Sequence, residues 1–207
     1  MKLINFIEML NIRVNLTVLI YILFPSLMFM VKSHNLLTDL IILPFDNIAN
    51  PACGWSHIAC DPYTNEITKI NLSNQHLKLT LASELSQLTS LTELNLEANQ
   101  VSGTIPSFLF ESFEKLEYLV LAKNDLQGTI PPLTESLKNL RVFDISDNRL
   151  RGEIPEDIGD VLGQNLEKLD LSHNGLTGDI PKSITKCKNL GFLDLSTNLL
   201  DGMYNYQ

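Results

Sequence analysis

The 207-residue sequence is short of basic side chains: 15 Lys and Arg stand against 24 Asp and Glu, for a net charge of −9. That deficit excludes a nucleic-acid binder, whose phosphates need clustered cations. It equally excludes a peripheral protein held on anionic lipid by a basic patch. An acidic surface suits a basic peptide or protein, or simply keeps the chain soluble. Cysteine is scarce, with three. Cys53 and Cys60 have only His57 beside them, too few ligands for a metal site. His34, His57, His76 and His173 form no cluster in sequence, and no Ser or Cys nucleophile motif accompanies them. No catalytic residue, metal or cofactor is expected.

Long apolar runs are limited to one of spanning length. Val14 to Val31 follows a short start carrying Lys2, Glu8 and Arg13, the order of a secretory leader. The run approaches the length that crosses a bilayer, with Asn15, Thr17 and Pro25 interrupting it. Residues 1–33 are therefore read as a signal peptide or signal anchor that puts the remainder outside the cytosol. No second such run follows, so membrane association is expected through this segment or through a C-terminal span absent from the sequence. In that oxidising compartment Cys53 and Cys60 read as a disulfide staple, leaving Cys187 as a buried, apolar-like thiol.

What the sequence has in abundance is self-similarity. Six segments begin at Ile67, Leu91, Leu116, Leu140, Leu166 and Leu190, with spacings of 24, 25, 24, 26 and 24 residues. Each has apolar residues at its first, fourth and sixth positions. Positions four and six share one face of an extended strand, and such a strand buries that face only by stacking on neighbouring coils. The ninth position gives an inward amide column, Asn99, Asn124, Asn148, Asn174 and Asn198, whose donors and acceptor can satisfy the turns above and below. The thirteenth gives Gly103, Gly128, Gly152, Gly178 and Gly202, where the chain bends or approaches its neighbour closely. Ile-Pro pairs at 105–106, 130–131, 154–155 and 180–181 predict a short second strand that proline ends. The rest of each unit, such as Lys182 to Lys188, reads as a short helix or 3₁₀ turn. The expected fold is a right-handed α/β solenoid with a parallel sheet on its concave face. Residues 34–66 form an N-terminal cap and residues 67–207 six repeats, the last incomplete. The first unit departs from the pattern, with Gln75 for Asn and Leu79 for Gly. The apolar layer at the far end lacks a cap of its own, which reads as a fragment of a longer solenoid or an end that a partner covers.

The stretch from Leu169 to Pro181, LDLSHNGLTGDIP, resembles the plant leucine-rich repeat, and four of the six units carry its Gly-x-Ile-Pro ending. The segment from Asn50 to Cys60 is similar to the N-terminal cap of plant receptor-like kinases and receptor-like proteins, with Trp55 between paired cysteines. The resemblance covers residues 50 to about 202. It implies a leucine-rich-repeat solenoid that binds a protein or peptide ligand, with a co-receptor, at the cell wall or plasma membrane. Two departures stand out. Only His34 to Ala49 lies between the leader and the cap, without the Ser-Trp motif, and no membrane span, Gly-rich phosphate loop or kinase motif follows the repeats. The family's kinase signalling is not carried over.

Binding in such solenoids uses the outward positions of successive strands. The third positions read Lys69, Glu93, Tyr118, Val142, Lys168 and Phe192; the fifth read Asn71, Asn95, Val120, Asp144, Asp170 and Asp194; the eighth include Lys123, Asp147 and His173. Tyr118, Val120 and Val142, with Lys123 beside them, Phe192 two coils on, and Glu93 and Asp144 flanking, are the expected contact patch. Asp144, Asp170 and Asp194 would form a carboxylate stripe. Paired carboxylates can hydrolyse glycosides or hold a cation, but a solvated stripe is the expected reading. Asn71 in Asn-Leu-Ser is an N-glycosylation acceptor that would block the first coils, whereas Asn15 lies in the leader. The sequence thus points to the ligand-recognition part of a plant receptor-like protein or receptor kinase. A secreted inhibitor of a wall-degrading enzyme, of the polygalacturonase-inhibitor kind, is the alternative.

Overall fold

The computed structural model describes Cys53 and residues 56–201. The leader, Asn15, most of the cap with Trp55, Gly202 and the closing Met203 to Gln207 lie outside the described residues.

Strands are numbered along the chain. β1 (Ile58–Cys60) folds back antiparallel on β2 (Ile67–Asn71), pairing Ile58 with Ile70 and Ala59 with Lys69. The turn between them is closed by Asp61, whose carboxylate accepts the N–H groups of Tyr63 and Thr64. β2 starts a parallel series formed by the third to fifth positions of each repeat: β4 (Glu93–Asn95), β6 (Tyr118–Val120), β8 (Val142–Asp144), β10 (Lys168–Asp170) and β12 (Phe192–Asp194). With β1 these make a seven-stranded sheet. The second sheet is parallel and six-stranded: β3 (Lys78–Thr80), β5 (Gln100–Thr104), β7 (Asp125–Gly128), β9 (Arg149–Glu153), β11 (Gly175–Asp179) and β13 (Leu199–Asp201). In four coils this strand stops at or just before an Ile-Pro pair, where the missing N–H ends the ladder.

The return path of each coil is a single short turn: 3₁₀ at Ser83–Gln87, α1 (Phe108–Glu111), 3₁₀ at Glu135–Leu137, α2 (Ile158–Leu162) and 3₁₀ at Lys182–Lys186. None exceeds five residues, so packing rather than helix propensity holds them. The first, fourth and sixth positions of units two to five are fully buried, from Leu91, Leu94 and Leu96 through Leu166, Leu169 and Leu171. Phe110 of α1 meets Phe143 of β8 edge to face, with centroids 5.9 Å apart. The corresponding layer is open in the sixth unit, where Leu193 is 45% exposed.

The amide column does what an inward amide can. Asn148 accepts the Leu126 N–H at 3.0 Å from the preceding coil. It donates at 3.0 to 3.1 Å to the carbonyls of Leu121, Ile145 and Ser146. Asn99, Asn124, Asn174 and Asn198 repeat the scheme. A second ladder on the other flank comes from the residue preceding each of the last three repeats: Asn139, Asn165 and Asn189 donate to the carbonyls of Glu114, Lys138 and Gln164 at 2.7 to 2.8 Å. Gly128 (φ +85°) needs its hydrogen side chain twice over, since a Cβ would also lie 2.9 Å from the Thr104 methyl.

Candidate functional site

Parallel pairing sets the outward residues in straight rows. Glu93 faces Tyr118, Tyr118 faces Val142, Val142 faces Lys168, and Lys168 faces Phe192. In the adjacent row Asn95, Val120, Asp144, Asp170 and Asp194 follow one another. Tyr118, Val120 and Val142 are therefore immediate neighbours and half-buried, and Phe192, 45% exposed, closes the row one strand past Lys168.

The carboxylate column is not a solvated stripe. Asp144 and Asp170 are 7% and 9% exposed, and Asp144 flanks the apolar residues as a support, not as an open contact. Each carboxylate accepts the N–H and hydroxyl of the serine two residues on: Asp144 from Ser146 at 3.1 and 2.7 Å, Asp170 from Ser172 at 3.2 and 2.7 Å. Lys168 lies between them, 2.6 Å from Asp144 and 3.6 Å from Asp170, with its ammonium 5.1 Å above the Phe192 ring. Burial pulls that ammonium down, but the two carboxylates outweigh burial and hold it above its ordinary value. Asp194 is half-buried, and among the described residues no cation lies within salt-bridge distance of it. Bonds from the Ser196 hydroxyl and N–H hold its carboxyl below the ordinary range.

These serine-bonded carboxylates belong to a motif the sequence reading passed over. At position five an Asn or Asp oxygen accepts the N–H of position seven in five of the six units: Asn71 with Ser73, Asn95 with Glu97, and the three aspartates. This Asx turn ends the strand. In four of those five units the signal is readable as Asp-x-Ser or Asn-x-Ser at the strand end. Unit three breaks it, with Val120 and Ala122 in those positions.

Lys123 also differs from expectation. It does not lie in the strand beside Tyr118. The whole eighth column (Asn74, Ala98, Lys123, Asp147, His173 and Thr197) sits past the strand end in left-handed backbone, with φ between 50° and 60°. Lys123 turns toward the preceding coil and binds Glu97 at 2.7 Å, which raises its pKa. Glu93 is paired with Lys69 at 3.3 Å. On the flank of the sheet Arg141 places its guanidinium 5.7 Å from the Tyr118 ring centre and donates to the Tyr118 hydroxyl at 3.1 Å. It is held by Glu167 at 2.7 Å and Glu117 at 3.7 Å. Arg141 was missed because its second position reads as the strand's entry. Thr92, Lys115, Glu117, Asn139, Arg141 and Asn165 border an open polar groove of about 490 Å³ there.

At the N-terminal end Cys53 and Cys60 form a disulfide, and Cys187 is a buried thiol whose pKa burial raises. Asn71 is exposed, and its side-chain oxygen accepts both the N–H and the hydroxyl of Ser73. Among the described residues no group of three or more His, Cys, Asp or Glu is arranged to hold a metal ion. No helix among them is long and apolar enough to cross a membrane.

The Leucine Rich Repeat model matches residues 90–111, 115–137 and 139–161, and a two-copy Leucine Rich repeats model matches 164–204. The leucine-rich-repeat ectodomain of the Arabidopsis thaliana receptor kinase SOBIR1 superposes with a TM-score of 0.64 at 33% identity, over 75% of this chain and 88% of that one. The chain belongs to the leucine-rich-repeat family. Its curated relatives include plant receptor-like proteins. Receptor-like protein 50 of Arabidopsis thaliana is 37% identical over 105 residues, 49% of this chain and 12% of the relative. Receptor-like protein EIX1 of Solanum lycopersicum is 38% identical over 112 residues, 47% of this chain and 11% of the relative. A plant peptide hormone receptor, RGFR1, solved in complex with RGF2, matches with a TM-score of 0.60 and 38% identity over 63% of this chain and 20% of that one. The chain thus spans about a tenth of the length of these curated relatives.

Proposed function

We propose that this chain is the ligand-recognition part of a plant receptor-like protein or receptor kinase. In this reading it works outside the cytosol, does no chemistry, and binds a peptide or protein on the concave sheet at Tyr118, Val120 and Val142, with Phe192 at the far end. The observation that carries the site is the break in the Asx motif at unit three. Five strands spend position five on their own turn; the third puts valine there and alanine at position seven, giving up a local bond for an apolar surface. A residue that violates the fold's own rule is a candidate for function. Receptor relatives favour this reading over a secreted inhibitor of a wall-degrading enzyme. A co-receptor is the second partner.

The same proposal takes residues 1–33 as leader or anchor, 34–66 as cap and 67–207 as repeats. It takes Asn71 as a glycan site: the residue is exposed, and the sequon serine is bonded to its side-chain oxygen, so that bond does not occupy the amide nitrogen. A glycan there moves ligand binding to the later coils. The test is binding of a ligand recovered by pull-down from extracellular fluid to Tyr118→Asp and Val142→Asp. Both variants are expected to lose affinity at least tenfold while keeping their melting temperature. Unchanged affinity would overturn the site.

A further inference from the structure

The charges around the apolar patch define which ligand it accepts. Among the described residues, the cations nearest the patch are matched: Lys69 by Glu93, Lys123 by Glu97, Arg141 by Glu167 and Glu117, and Lys168 by Asp144 and Asp170, while Lys115, out on the flank, donates to the Ser90 hydroxyl. An acidic ligand seated on the patch would have to break one of these pairs and leave its carboxylate unpartnered. Carboxylates, in contrast, are in surplus. Arg141 and Lys168 each have two, and among the described residues no cation lies within salt-bridge distance of Asp194. The bonds from Ser196 keep Asp194 in place and ionised without neutralising it.

Resting on the reading above, we infer that the ligand of this face is a basic, extended peptide: one uncharged apolar or aromatic side chain sits on Tyr118, Val120 and Val142, and a Lys or Arg reaches Asp194. The spacing follows from the sheet. The floor of the patch lies between β6 and β8, and Asp194 is on β12, about two and a half strand spacings away, or roughly 12 Å. An extended peptide crossing the strands covers this in three to four residues, at about 3.3 Å each. Lys168, pinned between its aspartates with its ammonium over the Phe192 ring, carries the chain across without offering a free charge.

The test pans a phage-displayed library of random twelve-residue peptides against the whole chain and against Tyr118→Asp and Asp194→Asn. The asparagine keeps an oxygen for the Ser196 bonds, so the second variant retains the turn, and equal melting temperatures verify this. The wild-type pool is expected to carry an aliphatic or aromatic residue with Lys or Arg three or four positions away. Its binding should weaken at least tenfold between about 0.05 and 0.5 M salt. Asp194→Asn should erase the basic preference and keep the apolar one, and Tyr118→Asp the reverse. Enrichment of acidic peptides, or a basic preference that survives Asp194→Asn, overturns the inference while leaving a peptide-binding face intact. No enrichment on any of the three proteins overturns both.

Discussion

Single residues carry more strain here than their sequence suggests. The eighth column needs left-handed backbone in every coil, and only Asn74, Asp147 and His173 are of types that adopt it readily. Thr197, β-branched at φ 53°, is the most costly of the six. Thr197→Asn is therefore expected to raise unfolding free energy by about 1 kcal/mol, read as a shift in the urea midpoint at constant slope. Gly128→Ala moves the other way. It places a side chain at φ +85° and against the Thr104 methyl, with a loss of about 2 kcal/mol in the same assay. Equal stability for both variants would contradict the backbone account.

At the scale of the coil, two amide devices hold each turn to the last. Asn148 bonds one N–H and three carbonyls across two coils. Asn148→Ala removes all four bonds and leaves buried backbone unpaired, for an expected loss of about 3 kcal/mol; a loss below about 1 kcal/mol would show that the coils stack on their leucines alone. Strand three provides the sharper experiment. Val120→Asn restores the Asx turn that its five counterparts possess, so thermal stability should hold or rise by about 0.5 kcal/mol while ligand affinity falls. Unchanged affinity would mean that Val120 has no part in recognition, and a loss of stability that it is there for packing. In four of its five units the Asx motif is legible in the sequence as Asn or Asp two residues before Ser. It went unread because the strand pattern alone gave those carboxylates a plausible role as a solvated row.

For the whole molecule, the solenoid is closed by β1 at one end and by Cys53–Cys60 beside it. Thiol alkylation is expected to label no cysteine in the native chain and one, Cys187, after denaturation without reductant, counted by intact mass. Labelling of native protein would mean that the fifth return turn opens readily.

The period of 24 to 26 residues determined the architecture without help, because an apolar strand face of this kind has no stable solution except stacking on its copies. It also determined the row alignment that brings Tyr118, Val120 and Val142 together, since each coil advances by one strand. What only the tertiary structure decided is where the charges end up. Lys168 lies one row from Asp144 and Asp170, and Lys123 leaves the sheet for Glu97, because side-chain reach and the left-handed turn act between coils 24 to 26 residues apart. No local pattern carries that information. The sequence reading of Asp144 as an open contact failed there: a carboxylate that looks free along one strand is spent on the next.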